Sequence, residues 1–524
     1  MGIYINIGNE GFQSARNGEY VDKSGLIAVV NSTLKTERRF SCVTRCRRFG
    51  KSMAAKMLCA YYDQSCDSRQ LFDDLAIADD PLFEIHLNKY PVIYLDMTVF
   101  VTRFRGVNVI DEIQKDLKKD LLSAYPDVVV DESDDFMLVL TRIAQQKNQQ
   151  FILIVDEWDA ICREFEPNTT VMDNYVNWLR RMFKEVNANV VFAGVYMTGI
   201  LPIKKYKTES ALNNFTEYSM VNPGRMDSFF GFTKNEVQTL CQKHQMDYDE
   251  MVKWYDGYQL GSQQHMFNPN SVMTALWEGR CRSFWASTGS YDRVAAYIQM
   301  NFDGLKDDII NMLAGGRCPV DPTGFQNDVS IINTKNDVFT VLIHLGYLAF
   351  DWEHSECFLP NREVSGEMVN AVSNSSWKQL ATAIEESRQL LQATFAGDSE
   401  AVARGVDAVH DDNTSILSYN NENSLACALT MAYYYAKNDY TFHRELPTGK
   451  GFADLVLMPR KGVDKPAIIL ELKYNQTAFT AIEQIHQKTY KGKVAQHGGP
   501  VILVGINYDP KTKKHDCVIE SANV

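Results

Sequence analysis

The chain reads as a multidomain α/β protein: a parallel sheet with crossover helices first, a mostly helical region second, and a further α/β domain last. Three observations carry that reading. The 524 residues are too many for one hydrophobic core and suggest roughly three domains at ~150 residues each. In the N-terminal part, apolar runs such as Phe151-Ile152-Leu153-Ile154-Val155 and Asn189-Val190-Val191-Phe192-Ala193-Gly194-Val195 are separated by helical segments. Unbroken apolar runs suit strands buried on both faces, and helices between strands imply parallel pairing. Toward the C-terminus, two apolar β-type runs at 451–457 and 468–473 each carry one acid.

The first strand is expected over 38–44. It leads through Arg45-Cys46-Arg47-Arg48-Phe49 into Gly50-Lys51-Ser52, and helix-forming residues follow. Strand, loop, Gly-Lys-Ser, helix is the order of a phosphate-binding loop. Main-chain N–H groups at a helix start bind phosphate; Lys51 would reach the β- and γ-phosphates and Ser52 would ligate Mg²⁺. Arg45 stands where the first glycine of the motif belongs. Among the basic clusters, the one formed by Arg45, Arg47, Arg48 and Lys51 is the binding patch, and Arg48 and Gly50 count with Lys51 and Ser52 as nucleotide contacts. Clusters at Lys204, Lys205 and Lys207 and at Lys488, Lys491 and Lys493 read as solvated surface.

Tyr90-Pro91-Val92-Ile93-Tyr94-Leu95-Asp96 supplies an intervening strand, and the run at 151–155 ends in Asp156-Glu157. An Asp at this place holds Mg²⁺ in phosphate-loop enzymes, and the following Glu can polarise an attacking water. Taken alone, the pair also fits a helix N-cap after a strand. The next strand ends at Thr198, which could sense the γ-phosphate.

The C-terminal runs carry a second chemistry. Glu471 and Lys473 are two apart, so in a strand they share a face while Leu470 and Leu472 take the other. If the strands pair, Asp454 joins them. Two carboxylates can hold Mg²⁺, with Mn²⁺ as an alternative, and a lysine can orient water, which is minimal equipment for phosphodiester hydrolysis. A cross-strand salt bridge would look much the same. Glu445 adds a third acid before the Gly449-Lys450-Gly451 turn, and a helical pattern after Lys473 brings Gln484, with Lys488 and Tyr490 downstream.

These C-terminal residues resemble the PD-(D/E)XK nuclease superfamily, through Asp454, Glu471, Lys473 and, less closely, Gln484. The resemblance implies catalysis by these four with Glu445 assisting, metal at Asp454 and Glu471, and a further acid on a preceding helix, for which Glu422 is the candidate. Phe452 stands where relatives often carry an arginine. The N-terminal Gly18-Glu19-Tyr20-Val21-Asp22-Lys23-Ser24 and Arg47-Arg48-Phe49-Gly50-Lys51-Ser52 resemble the AAA-ATPase-like domain of a family of predicted ATPases fused to such a nuclease domain. In that family an Arg in place of the first Gly is usual. Phe230-Gly231-Phe232-Thr233, Trp254-Tyr255-Asp256-Gly257-Tyr258, Asn268-Pro269 and Leu345-Gly346-Tyr347-Leu348 extend the likeness along the chain. The resemblance implies a P-loop ATPase-like domain over 1–212, a helical lid or winged-helix-like region over 213–358, and linker helices with a PD-(D/E)XK nuclease-like α/β domain over 359–524. It implies ATP with Mg²⁺ held by Ser52 and Asp156, Glu157 as the hydrolytic residue, and nucleic acid, DNA first, as partner, in defence against foreign DNA or in DNA processing.

Composition narrows the choice. A net charge of −13 excludes a protein that merely coats nucleic acid, so such contact must be local. The 11 cysteines form no C-x-x-C pair and suggest reduced thiols in the cytoplasm. Met1 to Glu10 lack a basic segment followed by an apolar core, and no apolar run nears ~20 residues, so neither a secretory signal nor a membrane span is expected. A homo-oligomer is compatible with the sequence. The competing function is an ATP-dependent switch or binding module whose nuclease fold does not cleave, for which the acidic charge and Phe452 speak.

Overall fold

The computed structural model describes residues 2–104, 108–164, 170–184, 187–203, 205–206, 209–210, 212–285, 297, 302–313, 316–325, 332–373, 378–413, 429, 432–447, 452–460, 463–487 and 498–523. They form two compact units, Met1–Ser287 with Pro319–Gly366, and Thr288–Cys318 with Glu367–Val524.

The first unit is built on five parallel strands in the order β2 (Val92–Asp96), β3 (Phe151–Asp156), β4 (Phe192–Gly199), β1 (Phe40–Thr44) and β5 (Thr216–Tyr218). Every residue of β1, β3 and β4 is buried, which is why they read as unbroken apolar runs. Alternate side chains feed two cores. Leu153 and Val155 pack with Ile113, Leu117 and Leu140 on one face. Ile152 and Ile154 pack with Leu58, Tyr62 and Phe230 on the other. Each such buried aliphatic side chain contributes about 1.5–3 kcal/mol. The parallel sheet expected from the sequence is thus present. β4 lies between β1 and β3, and Val43 is in register with Thr198 while Val155 is in register with Met197. The carboxyl ends of β1, β3 and β4 therefore meet at one edge, where ligands of parallel sheets bind.

The rest of this unit consists of helices and small antiparallel pairs. Thr233 and Glu236 form a capping box on Lys234–His244, Asp247 caps Tyr248–Tyr255, and Asn268 caps Pro269–Glu278 with proline in the first turn. Lys335–Leu345 starts at a Thr334–Asp337 capping box and stops at Gly346, whose φ is 87°. These satisfy orphan N–H and C=O groups at helix ends. Gly257 lies just beyond a helix. The helix ends at Tyr255 with Asp256 extended. Gly257 has φ +105°, and a Cβ on it would lie 1.9 Å from the Pro360 carbonyl oxygen.

In the second unit, five strands run in the order Tyr440–Pro447, Phe452–Pro459, Ala467–Tyr474, Pro500–Asp509 and Lys514–Asn523. All neighbours are antiparallel except Ala467–Tyr474 with Pro500–Asp509. Lys378–Ala396 and Ser399–Asn413 contribute Leu390, Val402 and Val406 to the core beneath Leu470, Leu472, Val504 and Ile506. Gly397 (φ +71°) ends the first of these helices, and Asp398 Oδ1 accepts from the Ala401 N–H at the start of the second. The second runs through Asn413, where a loop is expected from Asp411-Asp412-Asn413-Thr414. The opposite face is covered by Ala478–Gln487, which sets Ile482 and Ile485 against Val456, Ile469 and Leu503. A Cβ on Gly505 would lie 2.5 Å from the Ala478 carbonyl oxygen, so glycine there is what lets this helix approach the sheet. Among the described residues no helix is long and apolar enough to cross a membrane.

Candidate functional sites

At the carboxyl edge of the first sheet the loop after β1 turns into helix Lys51–Tyr62 through two left-handed residues, Arg48 (φ +68°) and Gly50 (φ +90°). A Cβ on Gly50 would meet nothing within 4 Å, so the loop faces open space there. Lys51 is 4 % exposed; its Nζ donates to the Cys46 carbonyl at 3.2 Å and lies 3.4 Å from Glu157 Oε1. The Arg163 guanidinium donates to the other Glu157 oxygen and, at 3.0 Å, to Asp159. Burial would raise the Glu157 carboxyl, but Lys51 and Arg163 outweigh it and hold it below the ordinary glutamate value. Glu157 itself sits at φ +52°, an uncommon conformation for a non-glycine residue.

Asp156 is buried at the end of β3. Its carboxylate accepts from the Thr198 hydroxyl, from Tyr94 at 3.3 Å and from Ser52. Burial, with Glu157 beside it, pushes its carboxyl up against the Thr198 and Ser52 hydrogen bonds and Lys51. Thr198 also accepts from the Glu157 N–H at 3.3 Å, so it joins the two acids. Gly50, Lys51, Ser52, Asp156, Glu157 and Thr198 are thus brought together. The donor set suits a nucleotide with Mg²⁺: an open left-handed glycine, an ammonium at a helix start, and a hydroxyl beside a carboxylate. Beside the loop, a cavity of about 270 Å³ is lined by Tyr20, Val21, Gly50, Met53, Met57 and Phe232, among others.

Arg45 and Arg48 do different work from the rest of the basic cluster. Arg45 is fully buried. It donates to the carbonyls of Thr44 and Tyr218, both at 2.9 Å, and of Met226 at 3.0 Å, and stacks over Phe230. Burial lowers its guanidinium to about 10, so it stays charged at neutral pH. It replaces a loop glycine with a strut that ties β1 to β5. Arg48 is exposed and donates to the Phe284 carbonyl at 2.7 Å.

The aromatic-glycine motifs meet behind the loop. The Gly231 N–H donates to the Phe49 carbonyl at 3.2 Å, and the Phe49 ring meets the Tyr258 ring edge-on at 5.1 Å. Tyr258 donates to the Gly346 carbonyl at 2.8 Å. A Cβ on Gly346 would lie 2.6 Å from Cys46 Cβ. Lys23 reaches Glu236 at 2.7 Å, and Asp22 accepts from Ser24 and Ala76. Sequence reasoning placed these motifs but not their convergence on Cys46 and Phe49. It also missed Arg163, for which an Asp159–Arg163 spacing of four on a helix was the available signal.

In the second unit, Arg444 pairs with Leu455, Leu446 with Ala453, and Leu455 with Leu470. Continued by one residue, this register sets Glu445, Asp454 and Glu471 at facing positions of one row across three adjacent strands. The side chains of Glu445 and Asp454 lie outside the described residues, as do Glu422, Lys488 and Tyr490. Glu471 is 1 % exposed and Lys473 8 %, and Lys473 Nζ lies 3.6 Å from Glu471 Oε1. A buried carboxylate beside a buried ammonium suits metal and water handling, though among the described residues no cluster of three metal-ligating side chains occurs. Gln484 is half-buried on Ala478–Gln487. That helix hangs from two residues the sequence reading passed over. Asn507, in register with Lys473, accepts from the Gln476 N–H at 2.8 Å and donates to Asp516 at 2.7 Å. Asp516 accepts from the Ala478 N–H at 2.8 Å. A lone asparagine in the apolar run 501–506 and its continuation was the signal.

Residues 6–208 match the family model "Predicted AAA-ATPase", and residues 420–517 match the PD-(D/E)XK nuclease superfamily. No curated protein matches the chain. Among solved structures it is similar to the Aeropyrum pernix ORC2 protein in its ADPNP–ADP complexes, at 12% identity over 69% of this chain and 99% of that one, TM-score 0.30. It is also similar to the Aeropyrum pernix ORC1 protein in complex with DNA, at 11% identity over 72% and 98%, TM-score 0.23. A third is C. elegans PCH-2, at 10% identity over 61% and 66%, TM-score 0.22. Likenesses this distant carry no argument here. The two family matches put an AAA-ATPase-like domain before a C-terminal PD-(D/E)XK nuclease superfamily domain along the chain.

Proposed function

We propose that the chain binds and hydrolyses ATP in its first unit and, in its second, hydrolyses phosphodiester bonds of nucleic acid, DNA first. The observation that carries the proposal is the strand register that aligns Glu445, Asp454 and Glu471 in one row with Lys473 two residues on. In the first unit, Lys51 exchanges Glu157 for the β- and γ-phosphates, Ser52 and Asp156 would hold Mg²⁺, and the cavity beside Gly50 takes the base. Glu157, released by Lys51 but kept in place by Arg163, accepts the proton of the attacking water, and Thr198 aligns it with Asp156. In the second unit, Lys473 orients the water and Glu471 with Asp454 would hold Mg²⁺ or Mn²⁺, with Glu445 and Gln484 assisting. Bound metal would supply charge neutralisation at the phosphate oxygens.

The same reading keeps the division 1–212, 213–358 and 359–524, a cytoplasmic setting, a homo-oligomer, and a role in defence against foreign DNA or in DNA processing. A second reading, a nucleotide-driven switch whose nuclease fold binds without cutting, is favoured by Phe452 in place of a basic residue and by the charge of −13. The deciding experiment incubates the purified full chain with mixed DNA and RNA, Mg²⁺ or Mn²⁺, with and without ATP. Cleavage that disappears in Lys473→Ala is expected. No cleavage under any condition, with ATP binding intact and lost in Lys51→Ala, selects the switch.

A further inference from the structure

Arg48 occupies the phosphate loop in a left-handed conformation that costs a non-glycine residue on the order of 1 kcal/mol or more. Something outside the loop must hold it. Its guanidinium is anchored on the Phe284 carbonyl at 2.7 Å, and residue 284 belongs to no helix or strand. That segment is fixed from its other side. The Phe284 N–H donates to Glu363 Oε1 at 2.6 Å, and the Ser271 hydroxyl donates to Glu363 Oε2 at 2.8 Å. The Trp285 N–H reaches the same carboxylate. Two residues back, Arg282 exchanges hydrogen bonds with the Tyr255 hydroxyl, giving its N–H at 3.0 Å and accepting on its carbonyl at 2.8 Å. Glu363 is 1 % exposed in the first turn of Arg362–Ser373. A carboxylate taken out of water is costly unless its acceptors are used. Here they are used by main-chain N–H groups and one hydroxyl.

We infer that Glu363 is a positioning residue of the nucleotide site: through the main chain of Phe284 it fixes Arg48, and with it the left-handed turn that presents Gly50 and Lys51 to phosphate. The inference rests on the reading of that loop as a nucleotide site. Arg48 holds the carbonyl end of Phe284 and Glu363 the amide end, and the Arg48 charge also draws the Glu363 carboxyl down, so the two act on one segment. Truncating either should have the same consequence, and truncating both should add little.

The test is a double-mutant cycle on the full chain, reading equilibrium binding of a fluorescent ATP analogue with Mg²⁺, with thermal melts beside it. Arg48→Ala and Glu363→Ala are each expected to weaken binding about tenfold, and the double variant no more than about twofold beyond Arg48→Ala. Glu363→Gln, which keeps an acceptor for the Phe284 N–H, should recover most of the affinity. If Glu363→Ala does not fold, Ser271→Ala, expected at about threefold, replaces it in the cycle. Losses that multiply in the double variant, or a Glu363→Ala protein with lowered melting temperature and unchanged affinity, overturn the inference while leaving the nucleotide site intact. Wild-type binding that Lys51→Ala does not weaken would instead remove the nucleotide site, and the inference with it.

Discussion

In the phosphate-loop site the charged groups come from the start of Lys51–Tyr62, the end of β3 and the helix Ala160–Glu164, and are already paired with one another, Lys51 with Glu157 and Glu157 with Arg163. In the C-terminal sheet the acid and the lysine are neighbours along a single strand, Glu471 and Lys473. The first arrangement depends on where β4 inserts and on a loop braced from behind by Gly231, Tyr258 and Gly346. The pairing of Glu471 with Lys473 depends only on alternation along one strand. A perturbation far from Lys51 can therefore disturb its site through the scaffold, whereas Lys473 should respond mainly to changes in its own strand and in the helix above it.

The largest expected effect separates the two. Glu471→Ala or Lys473→Ala should lower metal-dependent cleavage by about 10²–10⁴-fold, measured on labelled DNA, with ATP affinity unchanged. A parallel loss of ATP binding would show that the sites are not independent. Next comes the scaffold of the loop. Arg45→Gly restores the glycine of the usual motif, yet it leaves the Thr44, Tyr218 and Met226 carbonyls without this donor. It should destabilise the protein by about 3 kcal/mol or more, read by denaturant unfolding, and weaken rather than improve ATP binding. Gly505→Ala sets a methyl group 2.5 Å from the Ala478 carbonyl. It should cost about 1–3 kcal/mol and reduce cleavage without touching ATP affinity.

The smallest effect is a pH dependence. The Glu157 carboxyl is held below its ordinary value, so its ion pairs stabilise the fold above the ordinary glutamate range of about 4.3. That stability is lost as pH falls through the lowered value. Melting temperatures followed from pH 5 down to 3 should fall more steeply in wild type than in Glu157→Gln. Equal slopes would mean that Lys51 and Arg163 do not carry the pairing.

The hairpin was legible because its signals are local. Period two put Glu471 and Lys473 together, and apolar runs marked the strands. Gly50, Lys51 and Ser52 were legible for the same reason, a loop between a strand and a helix. Arg45 was not, since nothing in Arg-Cys-Arg-Arg shows which guanidinium turns inward; only the carbonyls of Tyr218 and Met226, more than 170 residues away, decide it. Nor was the need for glycine at 257, because its neighbour in space, Pro360, is distant in sequence.

By itself the sequence determined the two motifs and their order, because a strand's alternation and a helix start are set by residues within a few positions of each other. Only the tertiary structure decided that β4 lies between β1 and β3. That placement brings Thr198 to both acids, and it is fixed by which faces bury together in two cores. Strand order is a matter of long-range packing, and no local spacing encodes it.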